Sequence, residues 1–148
     1  MTRLTRRYII RALHNLKNPD LSDMENSTLY GLCYRLHGHD YHVDVTVEAP
    51  IDSRTGLVVH RDELERVVNE VLVQKYDGHF LNESFVNTSG EALSRLFYMK
   101  LKQAFSQAHT QLGGAQLVQV SIQETRKNWF AHSEELSLMS PDPNKSVY

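Results

Sequence analysis

The chain has 148 residues, which allows one domain with a full core and falls short of two ordinary ones, so residues 1–148 read as a single domain. Its 16 Lys and Arg against 18 Asp and Glu leave a net charge of −2 without a basic run, which argues against nucleic acid as a partner. A single cysteine excludes an internal disulfide, Met1 to Arg7 lacks the apolar stretch of a signal peptide, and no apolar run is long enough to span a membrane, so a cytoplasmic protein without a membrane partner is expected.

From about Thr5 to His14, alternation places Tyr8, Ile10, Ala12 and His14 on one face of a strand, with His14 at its end. The stretch from Asn15 to Leu36 is rich in Asn, Asp and Ser and has no period. It reads as a long loop, a length that is uncommon unless the segment works. Cys33 stands near its end. From His37 to Glu48 the odd positions His37, His39, Tyr41, Val43, Val45 and Val47 share one face, so two imidazoles continue an apolar row. After a polar turn at Pro50 to Gly56, the segment Asp62 to Tyr76 carries Leu64, Val67, Val68, Val71 and Leu72 as a helical stripe. Ser89 to about Gln107 repeats the pattern with Leu93, Leu96, Phe97, Leu101 and Phe105. Gln116 to Glu124 alternates again, with Val118, Val120, Ile122 and Glu124 on one face. A carboxylate thus ends an apolar row, as His14 ends its own. Residues from about 137 read as a loose tail.

The chemistry concentrates at Cys33-Tyr34-Arg35-Leu36-His37-Gly38-His39. Two histidines two apart on one strand face can reach one cation, and His14 is the candidate third ligand. Three neutral imidazoles leave one position of a tetrahedral Zn²⁺ open to water or substrate, the arrangement of a catalytic site. The competing account is a set of surface or hydrogen-bonded histidines. Cys33 is a further ligand, or a base whose thiolate a nearby cation favours, against the common case of an inert buried thiol. Asp77-Gly78-His79 brings a carboxylate near an imidazole for acid-base work, or else terminates the preceding helix with Gly78 in a left-handed conformation. Glu124 is a binding carboxylate or a plain strand-end residue. Thr88 or Ser89 caps the second helix, with Glu91 in its first turn.

Taken in order, Cys33, His37-Gly38-His39 with Tyr41, Gly56-Leu57-Val58, Asp77, Leu81-Asn82, Thr88-Ser89-Gly90-Glu91 and Glu124-Thr125 resemble the family of 6-pyruvoyltetrahydropterin and 6-carboxytetrahydropterin synthases. The resemblance runs from about residue 8 to 125. Three residues between Cys33 and His37 resemble the carboxy branch, the pyruvoyl enzymes of animals having a longer interval. The resemblance implies an α+β tunnelling fold (T-fold): a four-stranded antiparallel sheet with two helices on one face, assembled as trimers stacked into a homohexamer with active sites between subunits. It further implies Zn²⁺ on His14, His37 and His39, Cys33 as general base, and Asp77 with His79 as a second acid-base unit acting at a neighbour's site. Glu124, with Thr88 and Ser89, would hold the pterin. The implied reaction converts 7,8-dihydroneopterin triphosphate to 6-carboxytetrahydropterin, acetaldehyde and triphosphate, a lyase step of queuosine and deazapurine synthesis. The alternatives are the 6-pyruvoyl product and a zinc-bearing pterin- or purine-binding protein without turnover. Gly78 departs from the family, which has histidine directly after the aspartate; here His79 comes one residue later.

Overall fold

The structure, a computed structural model, describes residues 1–134; the tail expected from about residue 137 lies outside them. Strands β1 (Thr2–His14), β2 (His37–Ala49), β3 (Gln116–Gln123) and β4 (Trp129–Ser133) form one four-stranded sheet in that order, every neighbouring pair antiparallel. The alternation read in β1 and β2 holds. Tyr8, Ile10, Ala12 and His14, together with Tyr41, Val43, Val45 and Val47, are buried on one face. The opposite face carries cross-strand polar pairs: Thr5 with Thr46 at 2.9 Å, and Arg7 with both oxygens of Asp44 at 2.8 Å.

The apolar face is covered by two helical runs. Helix α2 (Arg61–Val68) continues through a π-helical stretch, Asn69–Val73, into α3 (Gln74–Tyr76), and α4 (Gly90–Gln107) lies beside it. Leu64, Val67, Val68 and Leu72 from the first run and Leu93, Phe97, Leu101 and Phe105 from the second are buried in one core with the sheet. These are the stripes their spacing predicts. Among the described residues no helix is long and apolar enough to cross a membrane.

Three elements differ from the residue-level reading. The stretch Asn15 to Leu36 is not all loop: it holds α1 (Asp23–Tyr30) and a 3₁₀ turn, Gly31–Tyr34. Helix α1 has no apolar stripe to reveal it. Its single buried residue is Asn26, whose amide donates to the carbonyls of Asn18, Leu21 and Ser22, while Ser22 and Glu25 form a reciprocal capping box. Strand β4 was not visible as a period, being five residues long with one buried position, Ser133. In β3, Thr46 opposes Gln119 but Val47 opposes Leu117, so Val118 is the extra residue of a bulge. Leu117, rather than the expected Val118, packs against the core there.

Candidate active site

The end of β1 and the start of β2 lie side by side, with His14 paired to His37 in the ladder and His39 two residues further along the same face. Antiparallel pairing therefore converts two distant sequence positions into neighbours. His14 Nε2 lies 2.9 Å from His37 Nε2, and one ring nitrogen from each of His14, His37 and His39 falls within 4.8 Å of the others. The three rings meet edge to face, with centroids 4.4 to 5.0 Å apart. Tyr41, 1% exposed, places its ring 5.7 Å from His14 and 5.4 Å from His39 as the floor of the cluster.

The second ring nitrogens decide what the first can do. His14 Nδ1 lies 3.0 Å from the Thr88 carbonyl, and His37 Nδ1 lies 2.7 Å from the Arg35 carbonyl. A carbonyl only accepts, so each Nδ1 carries a proton and each Nε2 is turned toward the other rings. Burial keeps His14 neutral, lowering its pKa to about 4, and burial followed by the neighbouring His37 lowers that of His39. The 2.9 Å between the two Nε2 atoms is a distance that a shared proton or a shared cation satisfies. Three converging imidazoles, two of them oriented by backbone carbonyls, are a donor set that fits zinc.

Glu124 stands at the rim of this centre. Its Oε1 is 3.5 Å from His14 Nε2 and 3.6 Å from His39 Nε2. Burial raises its pKa, opposed by His37 and reinforced by Glu91. Cys33 lies outside the histidine cluster with an exposed side chain. Its backbone carbonyl accepts from Leu16 N at 2.8 Å, which ties the 3₁₀ turn to the residue two beyond His14.

Asp77 and His79 do not join the cluster of their own chain. Asp77 Oδ1 accepts from Arg11 N at 2.8 Å, on the outer edge of β1, and the His79 ring is exposed with Nδ1 bonded to the Asp77 carbonyl at 2.9 Å. Gly78 has φ 79° and donates to the Arg11 carbonyl. The segment thus has the left-handed, helix-terminating form that was one of its two sequence readings. Ser89 is the N-cap of α4, accepting from Ala92 N at 3.2 Å. Thr88 is buried; its carbonyl accepts from His14, and its hydroxyl donates to the Asn15 carbonyl at 3.0 Å. Neither side chain points its hydrogen bonding at a ligand in this arrangement.

One positioning residue escaped the residue-level reading. Asn82 accepts from Asn15 N at 2.9 Å and donates to the Asn15 carbonyl at 2.8 Å, so its amide mimics a strand neighbour and clamps the residue next to His14. A lone loop asparagine carries no spacing signal for such a role. A cavity of about 640 Å³ opens beside the centre, and His39, Glu124, Arg11, His42 and Arg126 belong to its wall.

The model of the 6-pyruvoyl tetrahydropterin synthase family matches residues 3–135. The chain belongs to this family. A 6-pyruvoyl tetrahydrobiopterin synthase of Drosophila melanogaster is 34% identical over 151 residues, 98% of this chain and 83% of the relative. The solved 6-pyruvoyl tetrahydropterin synthase of Caenorhabditis elegans aligns with a TM-score of 0.78 and 26% identity, over 89% of this chain and 94% of that one. A provisionally named 6-carboxy-5,6,7,8-tetrahydropterin synthase of Archaeoglobus fulgidus is 36% identical over 66 residues, 44% of this chain and 56% of the relative. The antiparallel sheet with its helices on one face is the T-fold of the 6-pyruvoyl tetrahydropterin synthase family.

Proposed function

We propose that the protein is a zinc-dependent lyase that converts 7,8-dihydroneopterin triphosphate and water to 6-carboxytetrahydropterin, acetaldehyde and triphosphate. The observation that carries the reading is the convergence of three imidazoles beside Glu124. Family membership supports lyase chemistry on a pterin triphosphate. When bound, zinc supplies Lewis acidity toward the substrate's side-chain oxygens. Glu124, as a carboxylate, accepts two parallel hydrogen bonds from the guanidine-like edge of the pterin. Cys33, as the thiolate, removes a carbon-bound proton while triphosphate departs. Asp77 and His79 serve as the acid-base unit of a neighbouring subunit, consistent with their place outside their own chain's cluster.

The interval of three residues between Cys33 and His37 supports the carboxy product. A second reading, the 6-pyruvoyl product, is favoured by the names of relatives that match most of the chain. Incubation of the purified, zinc-loaded protein with 7,8-dihydroneopterin triphosphate separates them. Acetaldehyde formed in step with triphosphate is the expected result. A pyruvoyl pterin without acetaldehyde would establish the second reading, and zinc and pterin binding without turnover would leave a binding protein.

A further inference from the structure

Cys33 is carried by a part of the chain that the apolar core does not hold. Between β1 and β2, no residue from 15 to 36 belongs to the core, and Asn26 alone is buried there. The apolar residues of this stretch face outward: Met24, Leu29, Leu32 and Leu36 are each more than half exposed. A segment that buries no apolar side chain within its own chain is held there by hydrogen bonds, each worth little net of those water would make, and it opens more readily than a core.

Those hydrogen bonds converge on Asn26. Its Oδ1 accepts from Asn18 N at 2.8 Å, and its Nδ2 donates to the Asn18 carbonyl at 3.0 Å and toward the Leu21 and Ser22 carbonyls at 3.1 Å. One amide thus folds the turn 18–22 onto α1. From α1 the order passes to the cysteine turn, because Asp23 in the first turn of the helix accepts from the Tyr34 hydroxyl at 2.7 Å, and Tyr34 follows Cys33 directly. On the other side, Leu16 N donates to the Cys33 carbonyl at 2.8 Å and Asn15 Nδ2 to the Tyr34 carbonyl at 3.3 Å. Cys33 therefore stands between two anchors, the end of β1 beside His14 and the helix α1, and the second depends on Asn26.

We propose that Asn26 is a positioning residue for Cys33: residues 18–34 open as a unit apart from the core, and the Asn26 amide keeps the unit closed with the thiol in place. That the thiol then acts as a base rests on the proposed function; the separate opening and its dependence on Asn26 do not.

Three readouts on the full zinc-loaded chain test this: hydrogen exchange followed by mass spectrometry, the mobility of a nitroxide attached to Cys33, the only cysteine, and turnover of 7,8-dihydroneopterin triphosphate by unlabelled protein. Zinc content and assembly mass are measured for every variant. In the unaltered protein, peptides from residues 18–34 are expected to exchange at least about a hundredfold faster than those of β2. Asn26→Ala is expected to speed that exchange about tenfold further and to add a mobile component to the nitroxide spectrum. It lowers kcat about 10- to 100-fold with KM held within about twofold, as misplacement of a reacting group does. Zinc content, assembly mass and β2 exchange stay as they were. Thr28→Ala, which removes an exposed bond to the Met24 carbonyl in the same helix, changes none of these. Exchange of residues 18–34 as slow as that of β2 in the unaltered protein overturns the proposal. So does loss of zinc, assembly mass or β2 protection in Asn26→Ala, which would make Asn26 a residue of general stability. An unchanged segment in that variant, or a loosened one with the nitroxide and kcat unchanged, overturns it as well. If nothing is turned over while the exchange and nitroxide results stand, the lyase reading fails and the positioning of Cys33 by Asn26 survives.

Discussion

Orientation of two ring nitrogens by backbone carbonyls is what separates this histidine cluster from a chance gathering of imidazoles. Thr88 and Arg35 each hold a proton on Nδ1, so His14 and His37 turn Nε2 inward, whatever their sequence separation. Cys33 takes no part in that convergence and stands exposed outside it. The two residue types should therefore separate cleanly on mutation. Cys33→Ala is expected to keep stoichiometric zinc while turnover falls by about 10²- to 10⁴-fold, the range for removal of a general base. His37→Ala is expected to lose the metal. Zinc analysis of both purified variants checks this, and metal loss in the cysteine variant would make Cys33 a ligand instead.

At the scale of elements, the N-terminus of α4 is where the helix layer, β4 and the histidine centre meet. Ser89 caps the helix, Thr88 just before it accepts from His14, and Gly90 just after it leaves room for the Phe130 ring of β4. A Cβ on Gly90 would lie 2.1 Å from Phe130 Cδ2, a contact no packing relieves without moving the ring. Gly90→Ala is expected to destabilise by about 1–3 kcal/mol, the usual cost of overpacking. In a double-mutant cycle with Phe130→Ala, measured by urea unfolding, most of that cost should disappear. Additive effects would mean that the two residues do not compete for this space. The same junction ties a helix cap to the histidine cluster: fixing Ser89 also fixes the neighbouring Thr88 carbonyl that orients His14.

For the whole molecule, the unfinished surfaces point to assembly. Beyond the contacts of Arg11 and Leu13 with the Asp77–Phe80 segment, no backbone partner is seen on the outer edge of β1 among the described residues, and β4 forms the other edge of the sheet. Open edges of this kind are usually covered or paired in native proteins. Met24 and Leu32, around the Cys33 turn, are 80% and 77% exposed, and Trp129 on β4 is 57% exposed. Light scattering coupled to size exclusion is expected to give three or six times the chain mass of 17.1 kDa, with the Cys33 turn and the Asp77 segment of different subunits brought together. A monomer at micromolar concentration would remove the shared site and with it the proposed role of Asp77 and His79.

Local periodicity determined much of this protein without any structure. Period-two rows placed His14, His37, His39 and Glu124 at the ends of apolar strand faces, and helical stripes marked α2 and α4, because parity and stripe are properties of a few neighbouring residues. Elements without an apolar row stayed hidden: α1, held by its cap and the buried Asn26, and the five-residue β4. The four-stranded count came from family resemblance, since the residues themselves showed three strands. What only the tertiary structure decided were contacts between distant parts of the chain. The Thr88 carbonyl on His14 spans 74 positions and the Asn82 clamp on Asn15 spans 67. The engagement of Asp77 with the edge of β1, away from its own chain's histidines, spans 66. Such contacts arise from the docking of whole elements, and a backbone carbonyl or a loop amide leaves no periodic trace in the sequence that would announce its partner.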